Sequence, residues 1–339
     1  MEKVQNEALR IVSGAVKTNP INSMYALTQN KPIMSTIEQQ ALIQYEKMIR
    51  LPNNSVWNNF TEHPNEMKTQ PSFIKQVRKL KKEYKIPDQR EILKHPSNPM
   101  DYTEIPHSLS LNQKFRKEDV APSVAKVIAQ DTIHEYYPPE NWLHIYTDGS
   151  LQNTEIGAGA GVTCDLFSFY KGLGKYTTNF DGEVEAIKLA TQQLLYRTHC
   201  FNQAVILSDS KAAIQAIIST SENTSDKIRE IRAILKQLKQ LGKTIAIQWV
   251  PAHCGLEGNE KADALAKKGT EILATPQASI PFESAKRLIK LNVNNKHDKW
   301  LKEKSTGQKW EALIKTPNII PNIPRKASVA KFNRSWLFS

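Results

Sequence analysis

The sequence predicts an α/β fold: a mixed five-stranded sheet of three antiparallel and two parallel strands, flanked by helices and extended by helical segments at both ends. Three observations predict it. From about residue 142 to 268, short apolar runs and amphipathic stretches follow one another in the order βββαβααβα. The first three runs are close enough in sequence to pair as hairpins, whereas the later ones are separated by helices, and a strand–helix–strand crossover makes parallel neighbours. Acidic residues stand beside these apolar runs, at the sheet edge where α/β proteins place their sites.

The elements divide the chain into four parts. Residues 1–85 are read as a helical region. A first helix over 2–17 sets Val4, Ala8, Ile11, Val12, Ala15 and Val16 on one face, and a second over 35–49 sets Ile37, Ala41, Leu42, Tyr45, Met48 and Ile49. Ser35-Thr36-Ile37-Glu38 supplies a capping-box start for the second. Pro52 to Pro71 is polar and turn-rich, and residues 73–85 form a short basic helix. Residues 86–139 are a Pro-rich linker with short structured pieces.

The third part, 140–270, carries the sheet. Leu143 to Thr147 is its first strand, and Gly157 to Thr163 with Leu166 to Gly172 forms a hairpin whose small residues allow close backbone approach. Glu183 to Thr198 is helical, and Ala204 to Leu207 is a buried strand. Helices follow over 210–219 and 225–241, then a strand over 244–250 and a last helix over 257–268. The fourth part, 271–339, is a basic tail, part helical and part irregular.

The 339 residues carry a net charge of +12, which suggests an acidic partner such as nucleic acid. The excess is uneven: +3 over 1–140, +1 over 141–270 and +8 over 271–339. Cys164, Cys200 and Cys254 are scattered without CxxC spacing, so neither a zinc site nor a disulfide framework is indicated. The polar, acidic N-terminus does not read as a secretory signal, and no apolar run reaches the roughly 20 residues of a membrane span. An intracellular protein of the cytoplasm or nucleus, not secreted, is expected.

Four carboxylates stand out: Asp148 after the first strand, Glu183 at a helix start, Asp209 after the Val205–Ser208 run, and Asp263 within the last helix. Each has a bland reading. Asp148 precedes glycine, as turn aspartates do. Glu183 suits a helix dipole, Asp209 suits an N-cap, and Asp263 suits a solvated face. Convergence on one sheet edge is the stronger reading, because clustered hard oxygen ligands suit Mg²⁺ or Mn²⁺. His253, in Pro251-Ala252-His253-Cys254-Gly255, lies ten residues before Asp263, and an imidazole there suits proton transfer to a leaving oxygen.

At these residues the chain resembles type 1 ribonuclease H. The motifs are Tyr146-Thr147-Asp148-Gly149-Ser150, Glu183 preceded by Thr178-Asn179, Ser208-Asp209-Ser210, and Asn259-Glu260-Lys261-Ala262-Asp263. The stretch from Trp249 to Lys267 looks like the ribonuclease H domains of non-LTR retrotransposons. The flanks look, more loosely, like the segments around that nuclease in such elements, so residues 1–85 read as a remnant of the post-polymerase segment. No Tyr-x-Asp-Asp polymerase signature occurs. Bacterial relatives carry a basic handle between two helices, where this chain has only Thr220 to Thr224.

The resemblance implies a ribonuclease H-like sheet and hydrolysis of the RNA strand of an RNA–DNA hybrid. Two Mg²⁺ ions, with Mn²⁺ an acceptable substitute, would be held by Asp148, Glu183, Asp209 and Asp263, roughly 4 Å apart. His253 would assist catalysis, and Gly149, Ser150, Thr178, Asn179 and Asn259 would contact the substrate, partly through 2′-hydroxyls. The polymerase part of the same element is a further expected partner. Two rivals stay open: an inert nucleic-acid-binding remnant of the same domain, and an integrase-like or transposase-like nuclease on the same superfold.

Overall fold

A computed structural model describes residues 1–52, 71–93, 104–114, 120–152, 157–220, 225–272 and 279–311. Most of the Pro52–Pro71 stretch, residues 221–224 of the short joint, and the tail beyond 311 lie outside the described residues. The chain divides into two compact units, one of residues 1–88 with 285–339 and one of residues 89–284.

The second unit is built on a mixed sheet. Its strands are β1 (His107–Ser108), β2 (Trp142–Leu151), β3 (Ala158–Cys164), β4 (Phe167–Gly174), β5 (Gln203–Ser208) and β6 (Thr244–Trp249). They lie in the order β1-β6-β5-β2-β3-β4. β2, β3 and β4 pair antiparallel, while β5 pairs parallel with β2 and with β6. The five expected strands and their directions are present. A sixth, the two-residue β1, adds itself parallel to β6 from within the segment read as a linker. That segment also holds α5 (Pro122–Tyr136), which starts on a proline at its first turn, a position that needs no backbone donor.

Alternation along the strands assigns the two faces. Ile145, Val162, Ile206 and Ile247 point to one face, where they bury against α6 (Asn179–Tyr196), α7 (Lys211–Ile218) and α8 (Asp226–Gln240). Val205, Leu207 and Ala246 point to the other, where Ala125, Ile128, Ala129 and Ile133 of α5 cover them. The same face carries α9 (Glu257–Glu271) across β2, β3 and β4. It packs there because β3 offers glycines: a Cβ on Gly159 would lie 2.1 Å from the Ala266 carbonyl oxygen, and one on Gly161 2.2 Å from that of Ala262.

The helical unit comprises α1 (Glu2–Ser13), α2 (Ile21–Thr28), α3 (Ile33–Met48), α4 (Phe73–Glu83) and, from Ala285 onward, α10 (Phe282–Ser305). One core gathers Leu9, Met24, Leu27, Leu301 and Trp310, and another Leu42, Tyr45, Ile74, Val77, Ile289 and Val293. Inside the unit the buried Glu46 accepts from Arg50 at 3.1 Å and forms an ion pair with Lys81 at 2.8 Å. The paired ions satisfy what would otherwise be a costly buried carboxylate.

Several local expectations are corrected. α1 stops at Ser13, where Gly14 adopts φ 71°, a left-handed helix end. It buries Leu9 and Ser13, while Val4, Ile11 and Val12 of the expected face are exposed. The expected capping box at Ser35–Glu38 lies inside α3, which begins after Pro32 without a side-chain cap. β2 runs three residues past Asp148 instead of ending at Thr147, and α6 begins four residues before Glu183.

Candidate active site

Asp148 lies within β2, paired across the sheet with Gly161. It shares a face with Tyr146, whose ring packs over Gly258 at the start of α9, so its carboxylate points toward that helix. The next residue cannot carry a side chain: a Cβ on Gly149 would sit 2.4 Å from the Glu183 backbone nitrogen and 2.7 Å from the Gly182 carbonyl carbon. This contact seats α6 against β2 and sets the height of Glu183 above the sheet. Thr178 and Asp181 fix the helix start with a reciprocal capping box.

Asp209 follows β5 immediately, and the cap of α7 is Ser210, which accepts from the Ala213 N–H at 3.3 Å. The carboxylate of Asp209 is therefore not spent on helix capping. Its backbone carbonyl accepts from Trp249 Nε1 at 3.0 Å, which ties the end of β5 to the end of β6. The outcome is that Asp148, Glu183 and Asp209 each offer a ligand oxygen within 4.8 Å of the others.

Asp263 stands beside this group from α9, close enough for its charge to act on both Asp148 and Asp209. Its outer side meets Lys267, whose Nζ lies 2.6 Å from Asp263 Oδ2. His253 sits on the exposed loop before α9 with φ 54°, close enough for its charge to favour ionised Asp209. His253, Glu260 and Asp263 form a second group whose ligand atoms also lie within 4.8 Å of one another. In the sequence Glu260 is one residue of the Asn259–Asp263 motif, with nothing that marks it as a ligand. Its position beside His253 depends on how α9 is rotated, which the one-dimensional pattern does not state.

Burial and mutual repulsion raise the proton affinity of Asp148, Glu183 and Asp209. Asp148 is pushed up to about 8, first by burial and then by the charges of Asp209 and Asp263. Glu183 is pushed up to about 10, first by burial and then by Asp209 and Asp148. Asp209 is raised as well, again first by burial, with His253 and Asn259 opposing. Glu185, two residues from Glu183, behaves oppositely: burial raises it, but Lys227 and Lys171 more than offset that and hold it near 2.

The residues expected at the substrate are placed as follows. Gly149 is buried, and its backbone favours the ionised forms of Asp148 and Glu183. Ser150 is half-buried at the end of β2, and Thr178 caps α6. Asn179 is exposed, with its amide 3.3 Å from Glu183 Oε1. Asn259 is buried, and its side chain lies close enough to Asp209 to favour the ionised carboxylate.

A divalent cation fits this donor set. Glu183 Oε2 is buried with no hydrogen-bond partner, and the three converging ligands are all carboxylate oxygens, the donors hard cations take. Residues 140–271 match the family model described as RNase H. This segment is an RNase H domain. Among solved structures, the RNase H domain is similar to RNase H1 from the halophilic archaeon Halobacterium salinarum, at 21% identity and TM-score 0.32, covering 39% of this chain and 98% of that one. It is also similar to the N-terminal RNase H domain of a Mycobacterium tuberculosis protein solved as a fusion with maltose-binding protein, at 20% identity and TM-score 0.31, covering 38% and 98%. A third is LC11-RNase H1 in complex with an RNA/DNA hybrid, at 20% identity and TM-score 0.31, covering 38% and 96%.

Proposed function

We propose that this protein hydrolyses the RNA strand of RNA–DNA hybrids at the site formed by Asp148, Glu183, Asp209 and Asp263. One observation carries the reading: three carboxylates from three different elements meet within 4.8 Å inside the RNase H domain, with the charge of Asp263 acting on two of them. Buried acids with raised proton affinity are unfavourable in isolation, and a tight cluster of them points to a cation-binding role.

Asp148, Glu183 and Asp209 would hold Mg²⁺, with Asp263 completing the set on the side of α9. A pair of such ions supplies an activated water and charge stabilisation for phosphodiester hydrolysis. The chain's own residues do the rest. Asn259 and the Gly149 backbone favour the ionised, ligating forms of Asp209 and Glu183. His253, exposed at the rim beside Asp209, donates a proton to the leaving oxygen. Asn179, exposed with its amide against Glu183, is placed to read the 2′-hydroxyl that separates RNA from DNA. The motif from Trp249 to Lys267 supports an origin in a non-LTR retroelement, with the polymerase part of that element as a partner and an intracellular setting.

A labelled RNA–DNA duplex incubated with Mg²⁺ tests this. Cleavage confined to the RNA strand, lost in EDTA and lost in Asp209→Asn, is the expected outcome. Binding without cleavage by the unaltered protein would favour the inert-remnant reading, and undiminished cleavage by Asp209→Asn would remove the site.

A further inference from the structure

The positive charge of the chain is divided unequally between its two units. Residues 1–88 with 285–339 carry 26 Lys and Arg against 11 Asp and Glu, a net of +15, whereas residues 89–284 carry 20 against 23, a net of −3. The unit that holds the carboxylate site is thus slightly anionic, which opposes the approach of a phosphate backbone. The joint between α7 and α8, where a basic insertion would sit, is only a few residues long.

Within the described part of the helical unit, α4 concentrates the charge. Its inner face is spent on folding: Ile74 and Val77 are buried in the core with Tyr84, and Lys81 turns inward to Glu46 and Asp88. Its outer face is Lys75, Arg78, Lys79 and Lys82, with Lys85 just beyond, all exposed, and no acid occurs from Phe73 to Lys82. Among the described residues, Lys79, Lys82 and Lys85 make no ion pair. The helix C-terminus accounts for one or two such cations through its dipole, but not for the row. A membrane surface is disfavoured as the partner, because an interfacial helix needs a free apolar face and that of α4 is already covered.

We infer that the helical unit is a nucleic-acid-binding module that grips the phosphate backbone, without base specificity, through the exposed basic row of α4. It supplies affinity that the anionic nuclease unit lacks. The proposed function is used for the choice of a hybrid as ligand and for the cleavage readout in Mg²⁺; the charge argument stands without it.

The test is fluorescence anisotropy on the full-length protein in EDTA, with a labelled RNA–DNA hybrid and a double-stranded DNA of equal length, over a salt series. The triple variant Lys79→Ala, Lys82→Ala, Lys85→Ala is compared with the unaltered chain. Three lost phosphate contacts should weaken binding to both duplexes at least about tenfold and flatten the log–log salt slope by about 2 to 3. Thermal unfolding should be unchanged, since all three side chains are exposed. In Mg²⁺ the variant should show a raised KM for the hybrid and an unaltered kcat. Unchanged affinity and slope would overturn the inference, as would binding of phosphatidylserine vesicles in preference to either duplex. A protein that binds both duplexes through these lysines but cleaves neither would sustain this inference while sinking the nuclease reading.

Discussion

Asp148 and Glu183 carry proton affinities far above those of free carboxylic acids, with values of about 8 and 10. In the unfolded chain such groups ionise near pH 4. Their contribution to stability is therefore fully present below about pH 4 and is lost as pH rises through 8 and 10. Melting temperatures of the metal-free protein in EDTA should fall between pH 5 and 9, and Mg²⁺ should flatten that decline by compensating the charge. Asp148→Asn should raise the metal-free melting temperature at pH 9 by several degrees, corresponding to roughly 2 kcal/mol. A metal-free melting curve that is flat across this range would contradict the clustered arrangement. Asp148 and Asp209 were legible in the sequence because a carboxylate beside an apolar run is costly without a use. The inward turn of Asn259 and the placement of Glu260 beside His253 were not, since both follow from the rotation of α9 on the sheet.

At the scale of elements, the site depends on how closely β2 and α6 approach. Gly149→Ala places a methyl group 2.4 Å from the Glu183 backbone, so helix and strand must separate. Such overpacking costs about 1–3 kcal/mol. The expected result is a lowered melting temperature together with loss of Mg²⁺-dependent stabilisation, because Asp148 and Glu183 no longer share a ligand distance. A variant with normal stabilisation by Mg²⁺ would show that the contact does not set the site. The order of strands and helices from 142 to 268 was readable from periodicity. Less was readable where local chemistry and pairing disagree. Asp148-Gly149 looks like a turn, yet pairing with Gly161 and Ala160 carries the strand through it. α1 packs through Leu9 and Ser13, with Gln5 and Asn6 on the same mostly polar face, and leaves its more apolar stripe of Val4, Ala8, Ile11 and Val12 exposed. α2 spans eight residues after Pro20, too short to announce itself by period alone.

For the whole molecule, two units with separate cores should unfold separately. Calorimetry should resolve two transitions, and Mg²⁺ should raise only the one belonging to residues 89–284, which hold the carboxylates. A single transition shifted as a whole by Mg²⁺ would mean that the units melt together. Chain-wide charge was legible from composition, but its split into a cationic and an anionic half required knowing that residues 1–88 and 285–339 belong to one body. The two-residue β1 has a bearing on handling of the protein. It caps the outer rim of β6, a run of Ile245, Ala246 and Ile247 with open backbone groups beside it. Trimming the chain to the boundary of the RNase H domain at residue 140 would strip that guard and offer the bare border to a neighbouring copy, inviting aggregation of the minimal domain.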